Sequence, residues 1–283
     1  NLVSVDTARA RRRRDWSARA AKLPNARKAR LDSGFFEPQL AKLGDAPPQG
    51  EQWLHELKWD GYRLLATVVD GKARLFSRNA LEWTDKVPEI AGAIEALKLG
   101  SAALDGELIA GQGTREDFNL LQATLSGERM GKLNLMLFDL LHLDGIDVAR
   151  APLLDRKGLL EAVLDPPPPH LAYSSHIRGE GEQAYRLASE REFEGIISKR
   201  ADRPHHAGRS DEWRKTKHLA SDEFAVVGYT PPKGSRTGFG ALLLASPDRA
   251  HGWRYVGRVG SGFSDTLLRE VAALEQPLAQ RKG

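Results

Sequence analysis

The chain has 283 residues and a hydrophobic fraction of 41%, enough apolar material for one large or two ordinary globular domains. It holds no cysteine, which excludes disulfides and a cysteine zinc site, and no apolar run is long enough to span a bilayer. The net charge of +4 is uneven: residues 1–30 carry ten Lys/Arg against two Asp (net +8), leaving thirty-two Lys/Arg against thirty-six Asp/Glu (net −4) in the rest. A mildly acidic body must bind any polyanion through local patches.

Residues 1–33 are rich in Ala and Arg, include Arg11-Arg12-Arg13-Arg14, and read as a basic extension or linker able to lie along a phosphate backbone. Alternation from Trp53 onward predicts a half-buried strand, Asp60-Gly61 a tight turn, and Tyr62–Val69 the next strand of an antiparallel meander. Asp70-Gly71 turns into a strand over Ala73–Ser77, with Arg78 at its end. Val87, Ile90, Ile94 and Leu97 fall at helical spacing within Asp85–Leu99. A strand over Ala102–Ala110 is interrupted by Asp105-Gly106-Glu107, and Thr114 with Asp117 has the form of a capping box before a helix. Leu133–Leu143 reads as a buried strand, Asp155–Leu164 and Gly181–Glu192 as helices, and Trp213–Lys217 as a strand presenting two lysines on one face. From Ser221 the texture changes to short strands, Gly-rich turns and one helix from Ser264, which predicts a small barrel. The expected units are therefore 1–33, 34–220 and 221–283.

Charged residues within apolar strands are costly unless paired or used. Lys58, Asp60, Arg63, Arg78, Glu107, Glu194, Lys215 and Lys217 form such a set, spread over five strands. Each alone has a plain structural explanation, since strand-end lysines are usually solvated and Phe138 alone would be core. Lys199 reads as a solvated or DNA-facing charge, and the adjacent His205 and His206 as incidental loop residues.

Lys58-Trp59-Asp60-Gly61-Tyr62-Arg63 matches the K-x-D-G-x-R pattern of the covalent nucleotidyltransferases, which include DNA ligases, RNA ligases and capping enzymes. Ser77-Arg78, Asp105-Gly106-Glu107, Phe138-Asp139, the run from Glu194 to Lys199, and Trp213 to Lys217 follow in that family's order. The wording most resembles the ligase domain of bacterial DNA ligase D, over residues 34–262. That resemblance implies an α+β fold: an antiparallel-sheet, ATP-grasp-like nucleotidyltransferase domain followed by a small OB-fold β-barrel.

The resemblance also implies an activity, an ATP-dependent DNA ligase of bacterial end joining, with RNA ligation or GTP-dependent capping as the alternative. Lys58 would be the nucleophile that carries AMP, and Asp60 would help in the later steps. Glu56, or the backbone beside Leu57, would read the adenine amino group, while Phe138 and Ile197 would enclose the base. Arg63 and Arg78 would hold phosphates. Glu107 would accept from the ribose and, with Glu194, place Mg²⁺ or Mn²⁺. Lys215 and Lys217 would neutralise the triphosphate. Implied partners are nicked or broken duplex DNA, a Ku-type end-binding protein, and polymerase and nuclease domains in the same full-length chain, with a cytoplasmic, nucleoid-associated location and no membrane. The basic motif that usually closes the family's barrel domain is not found, so 221–283 is expected to be an incomplete OB-fold.

Overall fold

The computed structural model describes residues 15–218, 224–232, 238–248, 252–264 and 266–271. The run Arg11–Arg14 and the tail from Leu274 lie outside the described residues. In chain order the elements are α1 (Trp16–Ala20), β1 (Arg27–Lys28), β2 (Gln39–Leu43), β3 (Gly50–Leu57), β4 (Tyr62–Val69), β5 (Lys72–Ser77), α2 (Pro88–Glu95), β6 (Ser101–Ala110), α3 (Asp117–Leu125), β7 (Leu133–Leu143), β8 (Ile146–Asp147), α4 (Leu153–Val163), β9 (Leu171–Tyr173), β10 (His176–Gly179), α5 (Gly181–Glu190), β11 (Gly195–Arg200) and β12 (Gly208–Lys217). A second unit follows, with β13 (Ala225–Thr230), β14 (Ala241–Asp248) and β15 (Gly252–Val259).

The first unit, residues 1–218, holds two sheets. One runs β1-β8-β7-β6-β4-β5, with β9 added beside β7; the other runs β10-β3-β11-β12-β2. All pairings are antiparallel except β12 with β2 and β7 with β9. Period-two alternation decides which side chains go where. In β4, Leu64, Ala66 and Val68 join the main core with Ile90 and Ile94 of α2 and Leu159 and Leu160 of α4. Arg63 and Thr67 alternate with them and point away from that core. In the second sheet, Leu57 and Ile196 pack under Ala184 and Ala188 of α5, so Glu56, Lys58, Ile197 and Lys199 take the opposite face.

Two local expectations fail. Asp60-Gly61 does not close a hairpin: β3 and β4 belong to different sheets, and the segment 58–61 is the crossover between them. Gly61 is required there because a Cβ would lie 2.0 Å from the Leu108 carbonyl oxygen of β6. Thr114 does not cap α3; its hydroxyl and amide donate to Asp117, whose carboxylate also accepts from Gln112 N–H. Part of the stretch expected as an extension is built into the body. Asp15 caps α1, Ala20 is fully buried in the main core, and β1 pairs with β8.

The second unit shows a three-stranded antiparallel sheet, with Phe239, Leu242 and Leu268 as its core. Among the described residues the strands do not close into a barrel.

Candidate active site

The crossover delivers Lys58 to the edge of a cavity of about 500 Å³ lined by residues of both sheets. Its backbone N–H donates to Gly195 O at 2.9 Å, which fixes the end of β3 against the start of β11. Gly195 adopts φ +151° and approaches Thr216 so closely that a Cβ would lie 2.0 Å from its carbonyl oxygen. That contact brings Glu194, just before β11, beside Lys217 at the end of β12. The Lys58 amine donates to Glu194 Oε2, and Lys217 Nζ pairs with Glu194 Oε1 at 2.5 Å. Burial pushes the Glu194 carboxyl up, but hydrogen bonds from Lys217 and Lys58 outweigh it and hold the group below its usual range. Asp60, two residues on, is raised by burial, with Lys58 pulling the other way.

Strand register aligns the rest. Glu56, Ile197 and Lys215 are direct neighbours across β3, β11 and β12. Arg63 faces Glu107 across β4 and β6. Between β6 and β7 the register slips: Asp105 faces Asp139 while Gly106 faces Leu137. Phe138 is the extra residue of that bulge, which re-aims its ring toward the cavity. Lys58, Glu56, Leu57, Arg63, Arg78, Glu107, Phe138, Ile197 and Lys215 all line the cavity. Asp60, Glu194 and Lys217 do not, and lie behind Lys58 as its charged neighbours.

Several of these side chains hold different partners from those expected. Arg63 is not a free phosphate grip: its fork closes on Asp105 at 2.5 and 2.6 Å, and its guanidinium lies 4.5 Å from the centre of the Phe138 ring. Phe138 is only 5% exposed and also carries the Lys199 ammonium at 4.1 Å. Lys199 is not solvated. It is 2% exposed, donates to Glu56 Oε1 at 2.8 Å, and is lowered to about 8 by burial, against the pull of Glu56. His205 lies in the loop as expected but is half-buried, and its Nε2, shielded from solvent, has no hydrogen-bond partner among the described residues.

The arrangement has the electrostatics of a polyphosphate site. Arg78 and Lys215 line the cavity without a carboxylate partner among the described residues, and Arg209 beside them donates only to the Ala41 carbonyl. Fixed cations without counter-ions attract phosphate oxygens. Glu107 is the converse. It has no hydrogen-bond donor among the described residues, and burial pushes its carboxyl up to about 7, against Arg63 and Lys58. A hard cation prefers such an oxygen and takes its other ligands from phosphate and water. Among the described residues no three ligating side chains converge, so Glu107 offers the free carboxylate and Glu194 only if Lys58 and Lys217 release it.

Sequence reasoning missed Lys157, Ser174 and Arg209, and misjudged Lys199. Lys157 and Arg156 sit side by side in α4 on its inward face, both fully buried. Two cations at core positions of a predicted helix were the available signal. Ser174 carried none.

The family pattern described as the ATP dependent DNA ligase domain matches residues 38–217, and that described as the ATP dependent DNA ligase C terminal region matches 235–283. The multifunctional non-homologous end joining protein LigD of Pseudomonas aeruginosa is 39% identical over 255 residues, covering 88% of this chain and 30% of the relative. The LigD protein of Mycolicibacterium smegmatis is 32% identical, over 86% of this chain and 32% of the relative. The chain thus spans about a third of the length of these relatives. Among solved structures, a mycobacterial DNA ligase D complexed with ATP and MES superposes with TM-score 0.59 at 29% identity, covering 85% of this chain and 77% of that one. The ligase domain of Mycobacterium tuberculosis LigD gives TM-score 0.58 at 31% identity, covering 85% and 78%.

Proposed function

The chain belongs to the ATP-dependent DNA ligase family, and we propose that it seals breaks in duplex DNA through AMP carried covalently on Lys58. The observation that carries this reading is the placement of that amine. It sits on a crossover between two sheets, touches Glu194, and borders a cavity in which Arg78, Arg209 and Lys215 have no carboxylate partner among the described residues.

The steps follow from these residues. Lys58 Nζ, its ammonium having lost a proton to solvent, attacks the α-phosphorus of ATP; a P–N bond forms as the nitrogen sheds a second proton to solvent, the bond from the α-phosphorus to its bridging oxygen breaks, and pyrophosphate leaves. Lys215, Arg209 and Arg78 hold the phosphates, and fixed charge of this kind stabilises the developing negative charge without reorganisation. As phosphate enters, Glu194 keeps Lys217 in place while its hold on Lys58 is exchanged. The adenylate next passes to the oxygen of a DNA 5′-phosphate, the P–N bond breaking as Lys58 Nζ takes up a proton, and the 3′-hydroxyl, losing its proton to solvent, then bonds to the 5′-phosphorus and displaces AMP to close the strand. Each is an in-line transfer in which positioning does most of the work. Mg²⁺ or Mn²⁺, held at Glu107, would spread the phosphate charge. Asp60 lies within the field of Lys58 and serves the later transfers.

Glu56 reads the base. Phe138 and Ile197 bound the base site, although an adenine would meet the Phe138 ring only where Arg63 and Lys199 leave it open. The nucleotidyltransferase unit is taken as 34–220 and the OB-fold unit as 221–283. End joining, a Ku-type partner, upstream or downstream polymerase and nuclease domains in the full-length chain, and a nucleoid-associated cytoplasmic location are carried over from similarity to LigD proteins. No helix among the described residues is long and apolar enough to cross a membrane.

Sealing assays test the reading. A 5′-phosphorylated nick in duplex DNA should be closed with ATP and Mg²⁺ or Mn²⁺ by the wild type and not by Lys58→Ala. Closure of RNA nicks only, or label transfer from α-labelled GTP but not ATP, would replace it with the RNA ligase or capping alternative.

A further inference from the structure

The side chains behind Glu56 form a hydrogen-bond system that the proposed reaction does not use. Glu56 is 2% exposed, yet it lines the cavity. Its Oε1 meets Lys199 Nζ at 2.8 Å and Lys157 Nζ at 2.9 Å. Its Oε2 accepts from Ser174 Oγ at 2.8 Å. The same hydroxyl lies 3.0 Å from Trp59 Nε1, and Lys157 also donates to the Ser174 carbonyl at 2.9 Å.

Donor and acceptor counting removes the ambiguity. An indole N–H can only donate, so Ser174 Oγ must accept from Trp59 and point its own hydrogen at Glu56. Lysine ammonium groups can only donate, so both lone pairs of Oε1 are taken. One lone pair of Oε2 is left, and the cavity is where Glu56 reaches open space. Resting on the ligase reading above, we propose that Trp59, Ser174, Lys157 and Lys199 act as positioning residues that make Glu56 an obligate acceptor with a single free site, so that the cavity takes a purine bearing a 6-amino donor and rejects a 6-oxo purine.

The charges around Glu56 agree. Burial acts to raise its carboxyl, and the two lysines with their hydrogen bonds outweigh it and keep the group low and ionised. His176, its cross-strand neighbour on β10, is lowered by burial and so remains neutral at neutral pH. Tyr173 on β9 is raised by burial and stays protonated. Asp139, near Lys199, is committed to Arg156. Of the groups facing Glu56 only Lys199, lowered to about 8, titrates near neutrality, and below that value Glu56 keeps both of its cations. Removing Lys157 leaves a buried carboxylate with one cation, and burial then drives its pKa upward. Once protonated, Glu56 would donate to a 6-oxo group instead of accepting from a 6-amino group.

The test compares self-nucleotidylylation of the whole chain by ATP and by inosine triphosphate, from pH 6 to 7, below the titration of Lys199, in the wild type, Lys157→Met, Lys157→Arg, Ser174→Ala and Trp59→Phe. The wild type should favour ATP in kcat/KM by about 100-fold or more, independent of pH, a charge-assisted contact exchanged for a repulsion. In Lys157→Met the preference should shrink at least tenfold, and shrink further as pH falls; Lys157→Arg should restore it. Ser174→Ala and Trp59→Phe should weaken the preference even if Lys157→Met fails to fold. Equal loss with both nucleotides in every variant, with an unchanged ratio, would reduce these residues to packing and overturn the proposal. A wild type that labels equally with both would overturn it while sparing the ligase reading; a wild type that labels with neither would remove the ligase reading itself.

Discussion

The floor and the mouth of the cavity use the same chemistry to opposite ends. On the floor Glu56 is held by two lysines and a serine, and Asp139, next in sequence to the cavity-lining Phe138, is fully buried and joined to the fully buried Arg156 by two hydrogen bonds of 2.8 Å. At the mouth stands Lys58, 18% exposed, and behind it Glu194 lies between Lys58 and Lys217, which is 41% exposed. A buried pair cannot trade its partner for water, so the floor is fixed and its charges serve as framework. A pair at the water's edge can exchange partners cheaply, so Lys58 can leave a carboxylate for a phosphate. Location in the fold, not residue type, separates scaffold ions from reacting ions.

Breaking the floor should have the largest effect on stability. Arg156→Met leaves Asp139 buried without its counter-ion and should cost about 3–5 kcal/mol in urea unfolding. Breaking the mouth should spare stability and strike rate. Lys217→Ala should lower the rate of adenylate formation about 100-fold while unfolding changes by about 1 kcal/mol or less; equal damage to both quantities would erase the distinction between the two regions.

A pH series sharpens the comparison. Asp139 and Glu56 are held low in the fold, so their contribution is present above their unfolded pKa values and is lost as pH falls through the folded ones. Glu107 has the opposite sign. Its folded pKa of about 7 lies above the ordinary value of 4.5, so the native state binds more protons between those values and stability falls as pH rises through that window. Glu107→Gln should flatten that slope, measured by urea midpoints from pH 4.5 to 7.5; an unchanged slope would mean that Glu107 is not the group responsible. The smallest effect should come from a pair at the far edge of the first sheet. Arg27 is 58% exposed in its 2.8 Å pair with Asp147, and Arg27→Ala should change stability by about 0–1 kcal/mol and leave adenylate formation alone.

Much of the local structure was legible because the central strands are near-continuous apolar runs bounded by turn residues. Tyr62–Val69 and Leu133–Leu143 coincide with β4 and β7, and the charged residues among them marked the cavity. What could not be read was pairing at a distance. Asp60-Gly61 has the composition of a hairpin turn, and nothing local says that β3 and β4 enter different sheets. Phe138 was legible as a residue of the site but not as the extra residue of a bulge, which depends on its register with β6. Lys199 looked like a surface charge because its partners come from elsewhere: Glu56 lies 143 positions away on β3.

Lys58 Nζ is the atom that carries AMP in this reaction, and intact-protein mass spectrometry detects that adduct without a DNA substrate. Wild-type chain incubated with ATP and Mg²⁺ should gain the mass of a single AMP, located on Lys58 by peptide mapping, and Lys58→Ala should gain none. An adduct that persists in Lys58→Ala, or maps to Lys199 or another side chain, would contradict it.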